Sequence, residues 1–283
     1  VIENDEVKSY YIDVLQGHTV NNDEDVVDGV NFNEQTKKEL GFGYKMHWAA
    51  FVADTPEVED QTLEKYETWL TENDTLEWHQ QAALIEAKFL AEGVESITVN
   101  EENVIDNVAG VTIKDGGYIE VAKAALANAK AGKVVVLKAA DNGKTVNFYT
   151  VELTLEEGAA KTLVIDTLQS TFKEENENKF AWNTQTKHEL KEGYGMAGVG
   201  PKYKFEGGEW VVVADEKCEL EWYEQATLIQ NYVLANYNKE LKPLAERGAT
   251  VDGETLIDAL AGVTVKTATY FELIHKAFEN AGL

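Results

Sequence analysis

The chain has 283 residues, 44% of them hydrophobic, with 51 Asp and Glu against 25 Lys and Arg and a formal charge of −26. That length holds two domains of ordinary size, and the apolar and aromatic content excludes a disordered polymer. A field this negative repels nucleic-acid backbones and anionic lipid headgroups, which excludes nucleic acid as a partner and argues against a peripheral contact with a membrane. The lone cysteine, Cys218, excludes an internal disulfide.

The polar start, Val1–Tyr10, reads as a cut end without a signal peptide, and no apolar run reaches the length of a membrane span. "KSYYIDVL" from Lys8 and "VVDGVNF" from Val26 read as strands, as does "GYKMHWAAFVA" from Gly43. "TLEWHQQAALIEAKFLAEG" from Thr75 reads as a helix with Leu76, Ala83, Leu84, Ala87 and Leu90 at helical spacing and Gly93 at its end. A closing amphipathic helix carries Tyr118, Val121, Ala122, Ala125 and Leu126. The second half repeats this order. "TVNFYTVEL" from Thr145 and "LVIDTLQ" from Leu163 are strands, and "KYKFEGGEWVVVA" from Lys202 is a hairpin with a Gly-Gly turn. A helix over Leu220–Asn236 and a last helix bearing Tyr270, Leu273, Ile274, Ala277 and Phe278 complete it. The fold expected is α+β, two homologous tandem domains, each an antiparallel sheet packed with helices. The expected domains are 1–132 and 133–283, joined at Ala131-Gly132-Lys133.

Duplication is visible in the residues. "FNEQTKKELGFGYKM" from Phe32 matches "WNTQTKHELKEGYGM" from Trp182, and "LEWHQQAALIEAKFLA" from Leu76 matches "LEWYEQATLIQNYVLA" from Leu220. "DNVAGVTIK" from Asp106 matches "DALAGVTVK" from Asp258, sharing Asp, Ala, Gly, Val, Thr and Lys. A period of 152 residues between those last copies is far too long for a solenoid repeat.

In the last pair, Gly110 and Gly262 beside Ala109 and Ala261 strip the backbone for close approach. Thr112 and Thr264, each after a valine (Val111, Val263), offer a hydroxyl, and a helix start follows. Lys114 and Lys266 add positive charge, and Asp106 and Asp258 orient the turn. These residues suit a hydroxyl that carries or contacts a phosphate; they also suit a plain turn into β structure. The five histidines are scattered, and neither a metal-ligand spacing nor a nucleophile motif is present.

"DNVAGVT" and "DALAGVT" resemble the flavinylation signal of FMN-binding domains, usually Asp-x-x-Ser/Thr-Gly-Ala-Thr, with Ala and Val as departures. In tandem on an acidic chain, they are similar to the lipoproteins of Gram-positive flavin-based extracellular electron transfer. The resemblance implies two FMN groups in phosphoester linkage to Thr112 and Thr264, attached by an FMN transferase. It implies a lipid-anchored, extracellular electron carrier, rather than a reductase with one substrate. Its electrons would come from membrane electron-transfer proteins oxidising quinol and go to ferric iron or soluble flavin. Repeated aromatic and sulfur side chains are candidates to touch the ring: Tyr44 with Tyr194, Tyr118 with Tyr270, and Met46 with Met196. Trp78 and Trp222 fit a core role better. Gln35-Thr36-Lys37 and Gln185-Thr186-Lys187 fit either a flavin contact or a turn. The alternative function is a cofactor-free surface lipoprotein that binds a peptide or small solute.

Overall fold

The computed structural model describes residues 1–3, 6–21, 27–141, 144–175, 177, 179–207, 209–237, 260 and 263–283; of the candidate site residues, Asp258, Ala261 and Gly262 lie outside them. The fold is mixed α/β, with antiparallel sheets packed with helices. Backbone contacts divide the chain into two compact units, Val1–Gly17 with Phe32–Lys130, and His18–Asn31 with Ala131–Leu283.

The first unit starts with two short paired strands, β1 (Ile2–Glu3) and β2 (Glu6–Val7). Lys8–Leu15 is not the strand that its pattern predicts, since no strand pairs with it among the described residues. Its backbone is satisfied otherwise: Ile12 N–H donates to the Glu86 carboxylate, and Val14 O accepts from Lys37 N–H at 2.9 Å. The alternation survives without a ladder, with Ile12 buried and Tyr10 and Val14 packed on the same core. The pair formed by β3 (Gly17–Val20) and β4 (Gly29–Phe32) belongs, apart from its two end residues Gly17 and Phe32, to the second unit.

A one-turn helix, α1 (Lys37–Leu40), opens on a capping box between Thr36 and Glu39. The strand expected from Gly43 is absent. A 3₁₀ turn, Gly41–Tyr44, leads instead into α2 (Trp48–Asp54) and then α3 (Leu63–Glu72). Trp48, Phe51 and Val52 lie at helical spacing and close on Tyr66, Trp69 and Leu70, so an aromatic cluster overrides β propensity. Next comes α4 (Trp78–Glu92), ended by Gly93 at φ 88°. Its buried stripe is Trp78, Gln81, Ala82, Ile85 and Phe89; the expected Ala83, Ala87 and Leu90 are exposed, because the two large aromatics set the inward face. The helix α5 (Tyr118–Lys130) buries Ala122 but leaves Val121 exposed.

In the second unit the antiparallel sheet has the order β5 (Lys133–Asp141), β6 (Val146–Glu156), β7 (Ala159–Phe172), β8 (Phe180–Trp182). Register places Val136 opposite Val151, Val151 opposite Ile165 and Leu153 opposite Leu163, all inward. After the one-turn α6 (Lys187–Leu190) comes the expected hairpin, β9 (Pro201–Glu206) with β10 (Glu209–Lys217). The helices α7 (Trp222–Asn236) and α8 (Ala268–Asn280) cover one face of the sheet. All five apolar positions expected on α8 are buried, together with Phe271. Burying a side chain such as Ile274 or Phe271 stabilises by about 1.5–3 kcal/mol. A sheet packed with helices is therefore present in the second unit, while the described strands of the first are one short pair, β1–β2, and isolated bridges.

Candidate functional site

Each unit assembles the same small constellation. It begins with an aspartate. In the first unit Asp13 Oδ1 accepts from the backbone N–H of Val14 (2.8 Å) and of Lys38 (3.0 Å). In the second, Asp166 Oδ1 accepts from Thr167 (2.7 Å) and His188 (3.0 Å). Each carboxylate pins the first turn of α1 or α6, where a helix start favours negative charge. The capping threonines Thr36 and Thr186 complete that turn, while Gln35 and Gln185 face solvent. Lys37 and Lys187 are thereby aimed at aromatic rings. Lys37 Nζ lies 4.7 Å from the Tyr44 centroid and 5.2 Å from that of Trp78. Lys187 Nζ lies 5.0 Å from Tyr194 and 5.4 Å from Trp222.

A buried glutamate heads each long helix. The carboxylate of Glu77 accepts from Met46 N–H (3.0 and 3.1 Å), Trp78 N–H (2.8 Å) and the Tyr66 hydroxyl (2.6 Å). Glu221 accepts from Met196 N–H and Ala197 N–H, both at 2.9 Å. Burial and the Glu77 hydrogen bond push the Tyr66 phenol far above its usual range.

One turn further on, a glutamine holds the threonine. Gln81 Oε1 accepts from Thr112 N–H at 2.7 Å and lies 3.4 Å from the hydroxyl, while its Nε2 donates to Leu76 O at 2.8 Å. Gln225 Oε1 accepts from Thr264 N–H at 2.7 Å and Val265 N–H at 3.2 Å; its Nε2 donates to Leu220 O at 3.2 Å and meets the sulfurs of Met196 and Cys218. Gln81 Nε2 meets Met46 sulfur likewise, at 3.8 Å. The methionines thus lie beside the threonine clamp in both units.

The remaining candidates fall around this clamp. Val111 and Val263 are buried anchors just before the threonines; Thr112 is exposed and Thr264 half-buried. Gly110 has φ 81°, and a Cβ there would lie 3.1 Å from Leu76 Cδ1, so the stripped backbone is met by the protein's own leucine. Ala109 is exposed, and Asp106 accepts the Thr98 hydroxyl at 2.6 Å, which ties the loop down. Lys114 and Lys266 are exposed. Tyr118 and Tyr270 tilt against Trp78 and Trp222 at centroid distances of 6.3 and 6.1 Å. The Tyr270 hydroxyl is bonded to Thr167 Oγ1, and burial raises its pKa well above the usual value.

In the second unit an open cavity of about 310 Å³ lies here, lined by Tyr149, Lys187, Tyr194, Met196, Trp222 and Thr264 among others. That volume lies in the range of small-molecule sites. Burial pushes the Lys187 amine down to about 8, with Asp166 working against the shift. In the first unit the indole N–H of Trp78 is buried without a hydrogen-bond partner among the described residues. Among those residues no cluster of His, Cys, Asp and Glu could hold a metal ion, and no helix is long and apolar enough to cross a membrane.

Sequence reasoning had overlooked the aspartate, the glutamate and the glutamine. The signal for the first was a further repeated block, "IDVLQ" from Ile12 and "IDTLQ" from Ile165. For the others it lay inside "LEWHQQA" and "LEWYEQA", where Glu-Trp-x-x-Gln is shared. Set against protein-family models, curated proteins and solved structures, the chain matches none.

Proposed function

We propose that the chain is a tandem flavoprotein that carries electrons, with FMN held covalently on Thr112 and Thr264, one in each of two homologous domains. The observation that carries this proposal is the doubled clamp: a threonine whose N–H bonds to a buried glutamine, beside a methionine, a tryptophan, two tyrosines and a lysine, in both units. The residues fit the group. A cavity of about 310 Å³ with aromatic walls suits a planar ring, and a threonine hydroxyl opens onto it. The buried Trp78 N–H without an acceptor is a donor that a ring carbonyl or phosphate would satisfy.

FMN supplies one- and two-electron redox chemistry when bound, and the protein supplies placement and electrostatics. Gln81 and Gln225 fix the threonine backbone so that the hydroxyl stays at the rim. Tyr118, Tyr270 and the tryptophans wall the site. Attachment by an FMN transferase, a lipid-anchored position outside the cell, donors in the membrane, and ferric iron or soluble flavin as acceptor complete the proposal.

The test is intact mass and visible spectrum after co-expression with an FMN transferase, beside Thr112→Ala, Thr264→Ala and the double variant. Two FMN additions are expected in the parent, one in each single variant and none in the double. A colourless, unmodified parent, with the transferase shown active on another substrate, overturns it.

A further inference from the structure

We infer that Lys187, with Lys37 at the matching position, is the cationic contact of the site, placed to hold a reduced and negatively charged flavin ring; this rests on the flavin assignment above. Some lysines of this acidic chain sit on carboxylates, as Lys133 does on Glu152 at 2.7 Å and Lys202 on Glu216 and Glu219 at 2.8 and 2.7 Å, and others are exposed to water, as Lys114 and Lys266 are. Lys187 and Lys37 make no hydrogen bond or ion pair through Nζ among the described residues; each is held over a tyrosine and a tryptophan. A half-buried ammonium without a carboxylate is unfavourable, and here the arrangement occurs twice, each time imposed by a capped turn and an aspartate. Beside Lys37, the Trp78 indole N–H is a second donor lacking an acceptor. Both donors call for an acceptor from outside the chain.

The surroundings of Lys187 favour the charged ring over a neutral one. Asp166 on β7 is the acidic group acting on it. Tyr149 on β6, Tyr194, Cys218, Tyr270 on α8 and Lys266 share the cavity, and Glu221 is tied to the backbone of Met196 and Ala197. Uptake of two electrons and one proton leaves a flavin with one negative charge. An ammonium held beside the ring stabilises that state relative to the neutral, oxidised ring, the more so where Lys187 is shielded from water.

The experiment uses the full chain with Thr112→Ala, so that FMN sits only on Thr264, and compares it with the same chain carrying Lys187→Met, Lys187→Gln or Lys187→Arg. Midpoint potentials are measured by spectroelectrochemistry between about pH 6 and about pH 10. The Met and Gln variants are expected to lose at least about tenfold in preference for the reduced ring, about 30 mV for a two-electron couple, with Arg restoring it. Above about pH 8 the potential of the Thr112→Ala chain falls more steeply with pH, because reduction there adds a proton to the Lys187 amine. Neutral variants lack that extra slope. Equal potentials and slopes in Met, Gln and Thr112→Ala chains overturn the inference while leaving the flavin assignment standing. A Thr112→Ala chain that takes up no FMN overturns the assignment itself, and the inference with it.

Discussion

Replacing Gln225 with Leu removes the clamp on Thr264 while nearly conserving side-chain volume. Gln225 is fully buried, and its oxygen is shared by two backbone donors, Thr264 N–H at 2.7 Å and Val265 N–H at 3.2 Å. Its Nε2 also answers Leu220 O at 3.2 Å. Leaving one buried donor unmet costs about 1–3 kcal/mol. Thr264 is half-buried and recovers part of its loss from water, and the two bonds at 3.2 Å are the weaker ones. The expected destabilisation is about 2–4 kcal/mol, or roughly 5–15 °C in Tm for a unit of this size. Urea and thermal unfolding followed by circular dichroism measure it, and amide hydrogen exchange localises it. Protection at Thr264 and Val265 should collapse before that of the sheet residues Val151 and Ile165. A stability change below about 0.5 kcal/mol with unaltered exchange at Thr264 would refute the view that Gln225 organises this loop.

Other perturbations have equally definite outcomes. Glu77→Ala strips the acceptor from Met46 N–H, Trp78 N–H and the Tyr66 hydroxyl, and should cost about 3–5 kcal/mol by urea unfolding. Glu77→Gln, which keeps an acceptor, should cost clearly less. Lys187 has a folded pKa of about 8 against a reference of 10.5, so the folded chain binds fewer protons across that window and gains stability as pH rises through it. Lys187→Met should therefore stabilise the chain without attached flavin by about 1–3 kcal/mol below pH 8, and the gain should shrink as pH approaches 10.5. Melting curves taken at several pH values read this; a variant no more stable than the parent near neutral pH counts against it. Tyr66 has a raised folded pKa, so its contribution is present below about pH 10 and is lost as pH rises further. Phenolate absorbance of a Tyr66→Phe variant, subtracted from that of the parent, should show no ionisation of this group until the chain unfolds.

Much of the second unit was legible because its signals are local. Alternation in β6 and β7, the paired glycines between β9 and β10, and the apolar stripe of α8 each depend on neighbours a few residues away. The first unit resisted where tertiary partners decide. Lys8–Leu15 alternates like a strand, yet a ladder needs a neighbour, and the Glu86 side chain stands in for one. Gly43–Ala53 carries aromatic and branched residues of β character, but Trp48 and Phe51 find Tyr66 on α3 and coil to reach it. At the site, the threonines and methionines were marked by repetition. Gln81 and Glu77 were hidden because, on a helix, their spacing serves core packing and polar clamping equally well. Only the path of the distant loop shows that Gln81 reaches Thr112, 31 residues away.

The carboxylate at the head of each long helix closes a loop back to a methionine N–H, over 31 residues in the first unit and 25 in the second. Between those two fixed points lie quite different pieces, the helices α2 and α3 in one case and the β9–β10 hairpin in the other. Loop-closure entropy grows only with the logarithm of length, so this difference amounts to about 0.2 kcal/mol. The segment between the anchors can thus differ in length and secondary structure at little entropic cost, while its two hydrogen-bonded ends stay the same. It is not a passive insert: α3 lends the Tyr66 hydroxyl to Glu77, and Cys218, just after β10, meets Gln225, so exchanging one segment for the other would also remove a partner of the clamp.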